Sequence, residues 1–285
     1  MSTAVTLDGQ PLTDVDAYGC EWYTFAPITG WSGSPSSTIQ IEQNPRGHGG
    51  FVSSGLYLTP RVITLNGVVV APDEAGLAAA RDRLYSAAAV DRAVKLQLTE
   101  GDLSRYCSVY RQDVVLAEAD TSTDVMTPWS VQLVAPDPRK FGDDLATSTR
   151  LPEAIGGFTV PFTVPFTIAS TVSAGVCSLT NPGTQRGPVQ LRIEPVDGGT
   201  LTGPMVTHVG TGLTLVFASS MTLNPGEWLD VDMENRLVLA NGQASRAGWV
   251  TQPGFSGFEP GPNTWAFAAA SGTGLLTVTG TPAWT

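Results

Sequence analysis

The stretch Thr127-Pro-Trp-Ser-Val-Gln-Leu-Val-Ala-Pro-Asp-Pro-Arg-Lys-Phe-Gly142 alternates and then breaks. Trp129, Val131 and Leu133 fall on one face of an extended chain, and Ser130 and Gln132 on the other. This is the period-two pattern of a half-buried strand. Pro136 and Pro138 then remove two backbone donors, so no central strand continues past Ala135. A first domain is therefore expected to end at about residue 142.

Upstream of this boundary the pattern is α+β. Val62 to Ala71 (V-I-T-L-N-G-V-V-V-A) is β-branched and predicts a strand buried on both faces. Asp73 can cap a helix by accepting from free backbone N–H groups. Leu77, Ala80, Leu84 and Ala88 follow at helical spacing as one apolar face, with Arg81, Asp82 and Arg83 toward solvent. The helix is predicted from about Asp73 to Ala89. Val94 to Leu98 reads as a short strand. Ser104 to Leu116 reads as a long one, with Tyr106, Tyr110, Val114 and Leu116 on one face.

Downstream lies a repeat, Phe-Thr-Val-Pro, Phe-Thr-Val-Pro, Phe-Thr-Ile, between Gly157 and Ile168. Phe158, Val160, Phe162, Val164, Phe166 and Ile168 share one parity. Pro161 and Pro165 lie on the other, which suits a sheet edge or an arm but not mid-sheet. Phe158, Phe162 and Phe166 are candidate docking residues, either within this chain or on a neighbouring subunit. From Cys177 onward the pattern is all β. Alternating runs at Val189–Ile193, Leu213–Phe217 and Leu229–Met233 are separated by Asn181-Pro-Gly, Asn224-Pro-Gly, Asn241-Gly and Pro260-Gly-Pro-Asn turns. A β-sandwich or jelly roll follows. The fold class is mainly β, with residues 1–142 a β-sandwich carrying one helix, 143–175 a linker with the extended arm, and 176–285 a second sandwich.

Composition supports this division and excludes several functions. In 285 residues, 31 Gly and 21 Pro imply many turns and few long helices. The net charge of −11 disfavours non-specific nucleic-acid binding. Three scattered cysteines, Cys20, Cys107 and Cys177, make no disulfide framework and are expected reduced and buried. The N-terminus has neither the basic region nor the apolar core of a signal peptide, and no apolar run is long enough to span a bilayer.

Candidate chemistry is sparse. His48 sits in a glycine-rich loop and His208 in a predicted strand, and neither falls in a metal-ligand pattern. Asp230, Asp232 and Glu234 are spaced to project from one strand face. They could hold Ca²⁺ or serve a glycosidase, but the pattern equally builds a solvated outer strand, which is the reading adopted. Trp249, Phe255, Phe258 and Trp265 could stack on sugars or form ordinary core. No nucleophile elbow, P-loop or dinucleotide fingerprint occurs, so neither catalysis nor a bound cofactor or metal is expected.

The order of features resembles the distal tail proteins of siphovirus-type bacteriophages over nearly the whole chain. The resemblance is carried in the first half by Gln10-Pro11-Leu12, Tyr18-Gly19, Gly47-His48-Gly49, Arg61-Val-Ile-Thr-Leu-Asn-Gly67 before the lone helix, and Trp129 to Arg139. In the second half it is carried by Asn181-Pro-Gly, Pro188, Pro225-Gly226-Glu227, Arg236 to Gly242, Pro260-Gly-Pro-Asn263-Trp-Ala-Phe267 and Ala283-Trp284. It implies a belt domain that closes a homo-hexameric ring, then a galectin-like β-sandwich, in the short form without an inserted carbohydrate-binding module. It also implies a structural virion protein at the phage tail tip, made in the host cytoplasm. Its implied partners are further copies of itself, the tail tube protein and the tail-tip hub protein, with tape measure and receptor-binding proteins as further neighbours. It implies no membrane and no specific nucleic-acid contact. The alternative is a carbohydrate-binding adsorption module, and a glycan hydrolase using Asp230 and Asp232 stands third.

Overall fold

The computed structural model describes residues 3–39, 41–52, 57–116, 125–152 and 175–285. The chain divides into two compact units, Met1–Gly142 with Thr285, and Asp143–Trp284. Among the described residues no helix is long and apolar enough to cross a membrane.

The first unit contains β1 (Thr3–Leu7), β2 (Gln10–Pro11), β3 (Asp14–Val15), β4 (Glu21–Thr24), β5 (Ser37–Thr38), β6 (Ile41–Gln43), β7 (Gly50–Val52), β8 (Tyr57–Leu58), β9 (Arg61–Val70), α1 (Glu74–Ala87), β10 (Val94–Glu100), β11 (Leu103–Leu116), β12 (Met126–Ala135) and β13 (Lys140–Phe141). Its main sheet is antiparallel in the order β2-β1-β10-β11-β12-β9-β4-β3, with β13 paired to β11. The inward parity of these strands joins one face of α1 in a single core. Val5, Leu7, Ile63, Leu65, Leu96, Val131 and Leu133 meet Leu77, Ala80 and Leu84 there. Trp22 and Trp129 pack edge to face at 6.1 Å. A Cβ on Gly67 would lie 2.5 Å from the Trp129 ring and 2.0 Å from the Tyr23 carbonyl, so this strand position needs glycine.

Three expectations change here. β9 is buried on one face only, because its sheet is covered by core on one side; Val62 remains 44% exposed on the other. In β11 the register shifts between Arg111 and Asp113. This bulge changes the pairing parity: Tyr110 stands opposite Val134 while Val114 stands opposite Val131, so the single alternating row expected along β11 is broken. Asp73 does cap α1, accepting from the Gly76 amide at 2.6 Å, but Arg83 turns inward rather than to solvent.

The second unit contains β14 (Leu145–Arg150), β15 (Val176–Asn181), β16 (Val189–Pro195), β17 (Leu201–His208), β18 (Leu213–Phe217), β19 (Thr222–Leu223), β20 (Leu229–Asp232), β21 (Leu237–Ala240), β22 (Ala244–Ser245), β23 (Val250–Pro253), β24 (Gly261–Gly272), β25 (Gly274–Gly280) and β26 (Ala283–Trp284). Two antiparallel sheets, β14-β25-β16-β20-β21-β22 and β15-β24-β17-β18-β23 with β19 beside β17, enclose a second core. Leu191, Ile193, Val231 and Val278 of one sheet join Leu215, Phe217, Trp265 and Phe267 of the other. The segment Leu145–Arg150, which the sequence reading places in the linker, is a strand paired along its length with β25. That pairing forms because β25 offers an open edge that a short extended segment can satisfy. Phe158, Phe162 and Phe166, with the rest of the Phe-Thr-Val-Pro repeat, lie outside the described residues.

Candidate assembly surface

The outward face of the first unit's sheet can be built from strand register alone. Tyr23 of β4 stands opposite Val68 of β9, which stands opposite Pro128 of β12. Val70 stands opposite Met126. At the other end, Val62 stands opposite Val134, and Val134 opposite Tyr110 of β11. Between these apolar ends runs a polar band, Thr64 beside Gln132 and Asn66 beside Ser130, the last pair joined by a 2.7 Å hydrogen bond from the Ser130 hydroxyl to Asn66 Oδ1. Tyr23, Val62 and Tyr110 are all exposed. The Tyr23 hydroxyl donates to Glu21 at 2.7 Å, and that bond raises the phenol's pKa.

The second feature is an arm. Strands β5 and β8 pair, as do β6 and β7, and the turn between β6 and β7 is closed by the Asn44 amide on the Gly49 carbonyl. Every residue with a described side chain from Ser36 to Leu58 is exposed. That includes Ile39, Ile41 at 68%, Phe51 and Tyr57 at 71%. These apolar side chains have little cover from the rest of the described chain. His48 lies exposed in the turn of this arm.

Two polar centres hold the sheet that carries this face. Asp16 is buried and gathers four donors. Its Oδ1 accepts from the amides of Tyr18 and Cys20 at 2.9 and 3.0 Å, and its Oδ2 from Trp22 Nε1 and Arg83 Nη2, each at 2.9 Å. Burial pushes its carboxyl pKa up, but the bonds from Trp22, Cys20 and Tyr18 and the Arg83 charge together hold it below the usual value. Arg83 also lies over the Tyr18 ring at 4.3 Å. The Tyr18-Gly19 turn is thereby tied to α1.

Arg61, 2% exposed, is the other centre. Its Nη1 donates to the carbonyls of Gly30, Trp31 and Gly33 at 2.7, 3.0 and 2.6 Å, and its Nε to the Pro138 carbonyl at 3.0 Å. Lys140 donates to the Trp31 carbonyl at 3.2 Å. Burial lowers the pKa of both cations. Two widely separated segments, Arg61 to Gly67 and Ala135 to Arg139, thus meet at one guanidinium. The sequence marks both segments but not their contact, and its local pattern does not single out Tyr23, Val62, Val68 and Tyr110 as a face. The even parity of Val62, Val68 and Val70 carries that signal, which the reading of β9 as buried on both sides absorbs.

The candidate sites of the second unit resolve differently. Phe258 and Trp265 are fully buried, 6.3 Å apart, and offer no ring face to a sugar; they are core because they point between the sheets. Trp249 and Phe255 are partly buried at its margin. Asp230 accepts from Arg192 and from Trp228 Nε1, each at 2.9 Å. Asp232 accepts from the amides of Glu234 and Asn235, closing the β20–β21 turn. Glu234 belongs to that turn rather than to the strand, so the three carboxylates do not form one row. Among the described residues no group of His, Cys, Asp and Glu is arranged to hold a metal ion. His208 is buried, with Nδ1 2.8 Å from Thr211 Oγ1 and Nε2 3.1 Å from Asn263 Oδ1. Cys20, Cys107 and Cys177 are free and buried.

No protein-family model matches the sequence, and a search of curated proteins finds no match. Solved structures do match. The chain is similar to the SPP1 Dit (gp 19.1) protein, described as a paradigm of the hub adsorption apparatus in phages infecting Gram-positive bacteria, with 14% identity, a TM-score of 0.67 and 99% of both chains covered. It is also similar to a chain of the phage P2 baseplate in its activated conformation, with 9% identity, a TM-score of 0.51 and 98% of both chains covered. Along its whole length the chain has the fold of these phage tail and baseplate structural proteins.

Proposed function

We propose that this chain is the distal tail protein of a long-tailed phage, and that its first unit closes a homo-hexameric ring joining the tail tube to the tail tip. The observation that carries the reading is the outward sheet face of β4, β9, β12 and β11, apolar at both ends and exposed. A ring needs two different complementary surfaces on each subunit. The sheet face supplies one, and the exposed arm of β5 to β8 supplies the other. The full-length fold match to a hub protein of an adsorption apparatus supports the same role. In this reading the partners are five further copies of the chain, the tube protein above and the tip proteins below, and the location is the virion tail tip. The role needs no catalysis, and Asp230 and Asp232 are already engaged in structural bonds.

Mass photometry of the purified chain should give six chains per particle. A stable contact of this kind buries about 1,000 Å² or more. Val62→Lys with Tyr110→Lys places two charges in that contact and should give folded monomers. A monomer at every concentration for the unmodified chain, together with a virion map lacking the ring, overturns the proposal.

A further inference from the structure

The two sheets of the second unit differ in what they turn outward. The sheet β14-β25-β16-β20-β21-β22 carries charge there. Arg192 of β16 stands opposite Asp230 of β20 and donates to it at 2.9 Å, and Arg150 of β14 donates to Asp197 at 2.7 Å. The sheet β15-β24-β17-β18-β23, with β19, contains no Asp, Glu, Lys or Arg. Its inward parity fills the core, and register gives the outward one. Val176 stands opposite Ala266, Ala268 stands opposite Met205, and Met205 stands opposite Val216. The hydroxyls around this strip bond to one another, Ser178 to Thr264 at 2.9 Å and Thr207 to Thr214 at 3.1 Å. Val176 is 43% exposed, and the other four strip residues are half-buried. An outward sheet face that meets only water reads as polar. This one is uncharged, apolar along its strip and has its hydroxyls paired, so it suits an apolar cover.

The chain supplies a cover of the same chemistry. Residues 153–174 lie outside the described residues; the described chain stops at Pro152, after β14, and resumes at Gly175, before β15. A Cβ on Gly175 would lie 2.6 Å from Pro152 Cγ, so the two ends touch. Both flanking strands belong to the second unit, which makes these residues a loop of this sandwich rather than a connection between the units. The loop returns to Val176, on the edge strand of the uncharged face. Its 22 residues, going out and back at about 3.3 Å each, can reach about 35 Å, whereas the four strands from β15 to β18 span about 15 Å. From Ala154 to Ala174 it carries no charge, and Phe158, Phe162 and Phe166 fall on one parity.

We propose that residues 158–168 dock on this face of their own chain, with Phe158, Phe162 and Phe166 on the strip of Val176, Ala266, Ala268, Met205 and Val216. Pro161 and Pro165 then take the parity turned to water, where no partner strand needs their missing N–H. A charge on either surface would be buried without a partner, which accounts for its absence from both. The inference concerns the second unit alone and does not rest on ring closure by the first.

Hydrogen peroxide footprinting of the full-length protein, read by peptide mass spectrometry, reports the cover over Met205, with the buried Met221 and Met233 as internal references. Met205 should oxidise as slowly as those two. Replacing Phe158, Phe162 and Phe166 together by Ser should speed Met205 oxidation at least about tenfold, while continued protection of Met221 and Met233 shows that the sandwich is folded. Chymotrypsin, which cuts after Phe, tests the other side of the contact. The Met205→Lys, Val216→Lys variant should be cut at Phe158, Phe162 or Phe166 at least about tenfold faster than the unmodified chain. Both protections should persist in the Val62→Lys, Tyr110→Lys chain, since the cover comes from the same copy. The inference is overturned if Met205 oxidises equally fast with and without the three Phe, or if chymotrypsin cuts the loop equally fast with and without the two Lys. Protection that vanishes in the Val62→Lys, Tyr110→Lys chain overturns it as well and assigns the cover to a neighbouring copy.

Discussion

Replacing Asp16 by Asn changes almost no volume but removes the charge at the centre of a four-donor site. Asn keeps an oxygen for the Tyr18 and Cys20 amides. Its amide nitrogen then faces Trp22 Nε1 and Arg83 Nη2, both donors, where Oδ2 had accepted at 2.9 Å. Each hydrogen bond to a charged acceptor contributes about 1.5–3 kcal/mol. Arg83 is 18% exposed and can turn to water, so its share is discounted to about 1 kcal/mol. The Trp22 N–H cannot leave, since its ring is packed in the core, and it bears the full desolvation cost of about 1–3 kcal/mol on top of the lost bond. These contributions add to about 3.5–7 kcal/mol, a large share of one domain's stability. Hydrogen exchange read by mass spectrometry on peptides spanning residues 14–24 should show the loss directly. Acid supplies a second signature. Because the folded carboxyl pKa is lowered, its contribution is present above the unfolded value near 3.8 and is lost as pH falls through the folded value. The Asp16→Asn variant should lack that part of the acid transition. A loss below about 1 kcal/mol, or an unchanged acid profile, would refute the account of Asp16 as the fastening between the β3–β4 edge and α1.

Arg61→Met should destabilise the first unit by about 2–4 kcal/mol, since it leaves the Gly30, Trp31, Gly33 and Pro138 carbonyls without their shared donor; urea denaturation checks this. His208 predicts a pH effect in the second unit. Burial is the largest influence on its imidazole and lowers its pKa, so the unfolded chain takes up the proton first and stability falls as pH drops below about 6.5, by at most about 1.4 kcal/mol per pH unit. His208→Gln should flatten that dependence in thermal melts between pH 7 and the folded pKa. Burial pushes the thiols of Cys107 and Cys177 up to about 12 and about 11, so maleimide at neutral pH should leave both unlabelled until denaturant is added.

Sequence alone determined what depends on near neighbours. The alternation in β12, the proline stop after Ala135, the Asp73 cap and the turn dipeptides of the second half are local properties of backbone and side chain, and each appears where its residues stand. The positions of β16, β18 and β20 follow for the same reason. Tertiary structure decided which parity met a core and which stayed bare. β9 reads as a continuous apolar run because both its faces are β-branched, and only its pairing with β4 and β12 places Val62 and Val68 on an outward face. The bulge in β11 shifts the pairing by one residue, which no periodicity registers. Helical phase alone assigns Arg83 to solvent, yet it meets Asp16, 67 residues away, because a buried carboxylate draws the nearest cation. Arg61 and the Pro138 carbonyl are 77 residues apart and are joined only once β9 and β12 lie side by side. Local pattern thus specified the strands, while the faces, the buried charges and the candidate assembly surface came from pairings across long sequence separations.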